Sequence, residues 1–356
     1  MNSPLKEKLL RLREYIIYFM LDAAKQSLGI SPSMNGVYFG HPRKGHTTAA
    51  FLKARSLAEL LGNKSLRNAI LYVCSGHIPL WYCLREKKRG IKLVVNQNGV
   101  YYQGWYGASY VAANERHLLG HYRAADYIIY QSAFCEESAR RFLGEPPCPH
   151  QLLHNPVDTA FFTPETGHVF DPAAPVFLAT GNFYSEVKEE RIRLMLEAFT
   201  LVRSQLPKAQ LIIAGYVAPQ LARITAAPGG GMRFTGSYTY AQAPTLYRQG
   251  DIYLNTQFND NCPSAVLEAM SCGLPVVHLA CGGTPELVGE TGIAVAVEKS
   301  WEQFVYPTPQ QYAEAMLEAI RKRDTLSSAA RKRCLERFDI LLWKRRHEEI
   351  FRKVRG

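Results

Sequence analysis

The chain reads as an α/β protein made of two similar domains, each a parallel sheet with helices on both faces. Three observations lead there. Short apolar runs alternate with helical stretches in a β-α-β rhythm, which implies parallel strands covered by helices. The rhythm occurs twice, on either side of a Pro- and turn-rich segment at 154–175. A length of 356 residues with 47% hydrophobic side chains suits two domains with sizeable cores.

The opening stretch KEKLLRLREYIIYFMLDAAKQSLG reads as an amphipathic helix within residues 1–35. Leu5, Leu9, Leu12, Ile16, Phe19 and Ala23 recur at spacings of three and four, with Lys6, Lys8, Arg11, Arg13 and Lys25 around them. Two readings stand: a helix docked on its own domain, or a helix lying on an anionic bilayer with Tyr15, Tyr18 and Phe19 at the interface. The apolar run Tyr15–Leu21 has seven residues, far below the roughly 20 a membrane span needs. Asp22 ends it and no clear cleavage site follows, so no signal peptide is expected.

In the first domain, 36–157, strands are expected at GVYFGHP (36–42), AILYVCS (69–75), KLVVNQN (92–98), DYIIYQS (126–132) and QLLHNPV (151–157). Helical stretches such as HTTAAFLKARSLAELL separate them. In the second, 158–339, they are expected at PVFLATG (175–181), QLIIAG (210–215), MRFTG (232–236), DIYLNT (251–256), PVVHLA (275–280) and GIAVAV (292–297). After about residue 305 the chain is helical and ends in RFDILLWKRRHEEIFRKV.

The net charge of +11 is unevenly distributed. Residues 1–160 hold 20 basic and 11 acidic side chains (+9), 161–320 hold 9 and 15 (−6), and 321–356 hold 13 and 5 (+8). This polarity argues against a single nucleic-acid-binding module and for two domains with different tasks. None of the eight cysteines forms a C-x-x-C pair or a zinc-spaced cluster. Reduced, buried thiols in a cytoplasmic protein are the expectation.

In open α/β sheets the ligand sits beyond the carboxyl ends of the strands. Gly45 follows the first strand and precedes a helix, where a phosphate or sugar can approach closely; an ordinary tight turn fits equally. Asn98 is followed by the aromatic cluster VYYQGWYG, which suits sugar stacking or packing under a loop. After PVFLAT come Gly181 and Asn182, then Lys188, Arg191 and Arg193 near a helix start, where cations oppose the dipole unless an anion binds. The alternative is a solvated charged face, which Glu186, Glu189 and Glu190 support. The richest stretch is 251–292. Asp260 lies in the loop after a strand, Pro263 opens a helix, and Glu268 lies within it. The loop Asn261, Cys262, Pro263, Ser264, Ala265 would present backbone N–H groups to a diphosphate.

Two acids eight positions apart, followed by EAMSCGLPVV and GGTPELV, resemble the signature of the retaining glycosyltransferases of family 4, the glycosyl transferases group 1. HNPVDTAFFTP, AQLIIAG and APTLYRQGDIYLNT agree with it in order and spacing, and the resemblance spans nearly all of 36–356. It implies the GT-B architecture: two Rossmann-like domains facing a central cleft, with the C-terminal helix (340–356) crossing back to the first. The N-terminal domain would take the acceptor, and the C-terminal domain the nucleotide-sugar. By position, Glu268 bonds the ribose, Asp260 the transferred sugar, and Lys188, assisted or replaced by Arg191, the diphosphate. Gly45 matches the glycine near the phosphates.

Three positions depart from the pattern. Asp260 replaces the usual Glu, Asn182 the usual Arg after Gly181, and Asn98 a His that touches the donor sugar. The implied reaction moves a sugar from a UDP- or GDP-sugar to an acceptor hydroxyl with retained configuration. The setting would be polysaccharide, lipopolysaccharide or glycolipid synthesis, with a carbohydrate or lipid-linked acceptor. The eight Asp residues contain no D-x-D pair, so no metal or other cofactor is expected. A nucleotide-sugar epimerase and a non-catalytic nucleotide-sugar-binding partner are the other readings. The location implied is the cytoplasm, with the inner face of an anionic membrane as a candidate surface; nucleic acid is not an expected partner.

Overall fold

The computed structural model describes residues 4–30, 36–41, 49–183, 189–219 and 230–356. They form two compact units: residues 1–153 with 344–356, and residues 154–343.

The first unit carries a five-stranded parallel sheet. Its strands are β1 (Val37–Tyr38), β2 (Ile70–Cys74), β3 (Lys92–Gln97), β4 (Tyr127–Tyr130) and β5 (His150–Leu152), added in chain order. β1 and β5 are shorter than their apolar runs; beyond β5 the chain turns away before Pro156, which cannot donate to a ladder. Side chains alternate across the sheet. Leu71, Val73, Leu93, Val95, Ile128 and Tyr130 share one core with Tyr82, Leu118 and Tyr122. Tyr72 meets the C-terminal helix Ile340–Arg355 instead. Its hydroxyl accepts from Asn96 Nδ2 at 2.8 Å and shares a hydrogen bond with His347 Nε2 at 2.9 Å, and its ring packs edge-on to Phe351.

The N-terminal helix, Pro4–Ser27, docks on this unit against the helix Leu80–Lys88. The docked face is not the apolar stripe. Tyr18, Asp22 and Lys25 are buried, whereas Leu12, Ile16 and Phe19 are exposed. The partner helix explains this, because it presents charge. Lys25 pairs with Glu86, and Asp22 pairs with Arg85 at 2.5 Å and Arg89 at 2.6 Å. The Tyr18 and Tyr82 rings pack 5.0 Å apart beside these pairs.

The second unit carries a six-stranded parallel sheet: β6 (Val176–Thr180), β7 (Gln210–Ala214), β8 (Met232–Gly236), β9 (Ile252–Asn255), β10 (Val276–Leu279) and β11 (Ile293–Val295). The order is β11-β10-β9-β6-β7-β8. The chain first builds outward from β6 through β7 to β8, then returns to the other side of β6 and builds outward again. The order therefore reverses between β6 and β9, and a doubly wound sheet opens a crevice at such a reversal. Both faces are covered. Phe177, Leu211, Ile213 and Leu254 pack with Ile192, Met195 and Phe199 of the helix Glu189–Gln205. Leu178, Ile212, Tyr253 and Val276 pack with Val266, Leu267 and Met270 of the helix Ser264–Ser271. The ends of this unit are tied together, with Val157 N donating to Phe338 O at 2.8 Å and Ile340 N to Val157 O at 3.0 Å.

All eight cysteines are free thiols, seven of them buried and Cys148 half-buried. Among the described residues no helix is long and apolar enough to cross a membrane.

Candidate active site

A cavity of about 390 Å³ opens at the β6/β9 reversal, within the second unit. Thr180, Gly181 and Asn182 line it from the end of β6, Gly215 from β7, and Ser237 and Tyr238 from β8. Asn255, Gln257 and Asp260 follow β9, and Pro263, Ser264, Ala265 and Glu268 come from the next helix.

Two glycines shape its walls. Gly215 has φ +126°, and a Cβ there would lie 1.7 Å from the Gly181 carbonyl oxygen. Only a residue without a side chain lets the ends of β6 and β7 approach so closely. Gly282 has φ +69°, and its Cβ would lie 2.5 Å from the Asp260 carbonyl oxygen. Gly283 N then donates to that same oxygen at 2.7 Å. The GG pair of GGTPELV thus backs the Asp260 loop. Asn259 adopts φ +50° and donates to Ser300 O at 2.8 Å, which steadies the loop from the other side.

Glu268 lies in the helix Ser264–Ser271, one turn in from a start that no side chain caps. Its carboxylate accepts from the Tyr247 hydroxyl at 2.9 Å. That hydroxyl lies 3.3 Å from Thr180 Oγ1, which lies 2.7 Å from the Tyr253 hydroxyl. Tyr253, Thr180, Tyr247 and Glu268 therefore form a relay of donors that ends on the acid. Burial outweighs the Tyr247 bond and pushes the Glu268 carboxyl up to about 7. At neutral pH this acid is poised between its two protonation states.

Arg191 comes from the helix Glu189–Gln205 and is buried at the cavity wall. Its guanidinium lies over the Phe183 ring at 5.3 Å, and its Nε has no hydrogen-bond partner among the described residues. Burial lowers its pKa, countered by Tyr306, Tyr253 and the Asp260 carboxylate. An arginine stays protonated under such a load, so the cavity holds a poorly compensated cation. Arg193, two positions on, is exposed and pairs with Glu189 at 2.5 Å. The solvated-face reading therefore applies to Arg193 and fails for Arg191. Asp260 Oδ1 accepts from Cys262 N at 3.2 Å, which fixes the carboxylate at the cavity's edge.

Of the residues the sequence proposed, the cavity gathers Gly181, Asn182, Arg191, Asp260, Pro263, Ser264, Ala265 and Glu268. Asn261 and Cys262 do not line it. Cys262 is a correction: it is buried, its carbonyl accepts from Asn155 Nδ2 at 2.8 Å and its sulfur accepts from Asn155 N at 3.3 Å. Asn155 belongs to HNPVD, so Cys262 anchors the turn-rich segment to the site loop. Asn182 Oδ1 accepts from Tyr216 N at 3.3 Å, bridging the β6 and β7 ends. Asn98 belongs to the first unit, where its Oδ1 accepts from Lys53 at 3.1 Å and from Gln131. Gly45 and Lys188 lie outside the described residues.

Thr180, Gly215, Tyr238, Tyr247 and Tyr253 were not singled out from the sequence. Tyr253 carried a usable signal, since a tyrosine in a strand buried on both faces needs a partner for its hydroxyl.

Residues 174–322 match the model of a family described as glycosyl transferases group 1. The chain is 22% identical over 206 residues to a phosphatidylinositol N-acetylglucosaminyltransferase subunit of Arabidopsis thaliana, an alignment covering 57% of this chain and 43% of that protein. It is 32% identical over 123 residues to the sulfoquinovosyl transferase SQD2 of Arabidopsis thaliana, covering 34% of this chain and 22% of that one. The chain thus spans less than half the length of these relatives. Among solved structures it resembles Anabaena HepE in complex with UDP and glucose (TM-score 0.60, 16% identity, 85% of this chain and 80% of that one). It also resembles the sucrose-phosphate synthase of Thermosynechococcus elongatus (TM-score 0.61, 15% identity, 81% and 74%).

Proposed function

We propose that this chain, which carries a glycosyl transferases group 1 domain on a GT-B fold, transfers a sugar from a nucleotide-sugar to an acceptor hydroxyl. One observation carries the reading. A half-buried acid wired to Tyr247 and a buried, poorly compensated guanidinium share a single cavity at the sheet reversal. The acid suits a ribose diol, whose hydroxyls donate to a carboxylate. The guanidinium suits a diphosphate.

In this reading Glu268 holds the ribose. Arg191, with Lys188, neutralises the diphosphate, and the uncapped backbone N–H groups at Ser264 and Ala265 add their own attraction. Asp260 accepts from the hydroxyls of the transferred sugar. The bond from the anomeric carbon to the leaving diphosphate oxygen breaks, and a bond to the acceptor oxygen forms on the same face. The acceptor's proton passes to the leaving oxygen, so configuration is retained. Charge on the departing diphosphate is met by Arg191, Lys188 and the helix start, so turnover is expected to persist in EDTA. UDP is the favoured nucleotide, ahead of GDP, as the HepE complex contains UDP. A glycolipid acceptor is the favoured class, as one relative's name specifies phosphatidylinositol.

The test is a panel of UDP- and GDP-sugars incubated with lipid and oligosaccharide acceptors, read by nucleoside diphosphate release and by product anomeric configuration in NMR. A product of retained configuration with the chelator present is expected. Donor change without an acceptor would indicate an epimerase and overturn the reading, as would nucleotide-sugar binding with no turnover on any acceptor.

A further inference from the structure

We propose that the outward face of the N-terminal helix seats the protein on an anionic lipid bilayer. The helix Pro4–Ser27 is held on its unit by polar side chains, with the Lys25–Glu86 pair and the Asp22 pairs to Arg85 and Arg89 at its contact. Its other side leaves Leu12 (55%), Tyr15 (53%), Ile16 (46%), Phe19 (56%) and Met20 (65%) exposed. A helix needed only for packing would bury Ile16 and Phe19 and leave Asp22 and Lys25 in water, because burying charges is costly and burying apolar surface is favourable. Here the arrangement is the reverse.

The stripe carries its own aromatic edge. The Tyr15 ring packs 5.4 Å from Trp81 and 6.4 Å from Phe19, and Leu84 is exposed on the docking helix. Amphipathic rings of this kind favour the headgroup layer. The same helix carries Lys6, Lys8, Arg11 and Arg13 against Glu7 and Glu14 in its first half. That charge complements an anionic surface. A second copy would bring the same excess of basic residues and offers them no opposite charge. The exposed apolar side chains run along one side of the helix from Leu12 to Met20, which suits a helix lying flat in the interface.

Flotation of the full chain tests it, with phosphatidylcholine vesicles and with vesicles containing about 30% phosphatidylglycerol. The wild type is expected to float with the anionic vesicles and to remain behind with the neutral ones. I16S/F19S is expected to lose roughly tenfold or more of that binding. I16L/F19L keeps its apolar surface and is expected to bind like the wild type. All three should melt at the same temperature, since both positions are exposed. Equal flotation with neutral and anionic vesicles would overturn the proposal, as would undiminished flotation of I16S/F19S. Concentration-dependent dimers in sizing experiments that vanish in I16S/F19S, without vesicle binding, would assign the face to a second copy instead.

Discussion

Replacing Glu268 by Gln should make the empty protein more stable at pH 8 while removing its hold on the nucleotide. The ordinary pKa of this carboxyl is 4.5, and in the fold it is pushed up to about 7. The folded state therefore keeps a proton that the unfolded chain releases between these values. The stabilising effect of that proton is fully present below about pH 4.5 and is lost as pH rises through 7. Every tenfold change in proton affinity corresponds to about 1.4 kcal/mol, so the ionised acid costs the fold at most about 3.5 kcal/mol, and about 2 kcal/mol once its partial exposure is considered. Gln has nearly the same shape, can still accept from Tyr247 through its amide oxygen, and never ionises. In a pH series of thermal melts, E268Q should match the wild type near pH 4.5, gain progressively, and level off above pH 7 at a rise on the order of 4–8 °C. A constant offset at all pH values, or lower stability of E268Q at pH 8, would refute the reasoning. Function should move the opposite way, with donor affinity falling in the same variant.

Arg191→Met should lower kcat/KM by roughly 100-fold or more through loss of diphosphate stabilisation, with no loss of melting temperature, since it removes a buried, poorly compensated charge. Gly215→Ala should cost about 2–4 kcal/mol in urea unfolding and abolish donor binding, because its methyl group collides with the Gly181 carbonyl. Nucleotide-sugar affinity, followed by calorimetry, should strengthen about tenfold per pH unit up to about 7 and then flatten, because the ribose needs the ionised form of Glu268. E268Q should show no such dependence.

Most strands were legible because parallel strands buried on both faces are continuous apolar runs, and each observed strand overlaps an expected segment, with only β5 starting a residue early at His150. The reversal of strand order was not. It depends on which side of β6 the chain returns to after β8, and no local residue pattern encodes that. Glu268 and Asp260 were found through their spacing, but the wiring of Glu268 through Tyr247, Thr180 and Tyr253 joins positions up to 88 residues apart. Arg191 and Arg193 look alike in sequence. Two helical positions turn the chain about 200°, so one faces the cavity and the other water, and only the phase set by Ile192 and Met195 decides which. The orientation of the N-terminal helix was misleading for a different reason. The stripe rule assumes an apolar partner surface, and the helix at Leu80–Lys88 supplies Glu86, Arg85 and Arg89 instead. Cys262 sat inside the right loop but is held by Asn155, a contact over 107 residues.

The most direct test of the account is calorimetric titration of UDP, GDP and their sugar conjugates into the full chain and into E268Q and R191M. The account predicts saturable 1:1 binding of at least one conjugate to the wild type, strongly weakened in both variants. Binding of equal strength in all three proteins, or none by the wild type across the panel, would contradict the assignment of the β6/β9 cavity as the donor site.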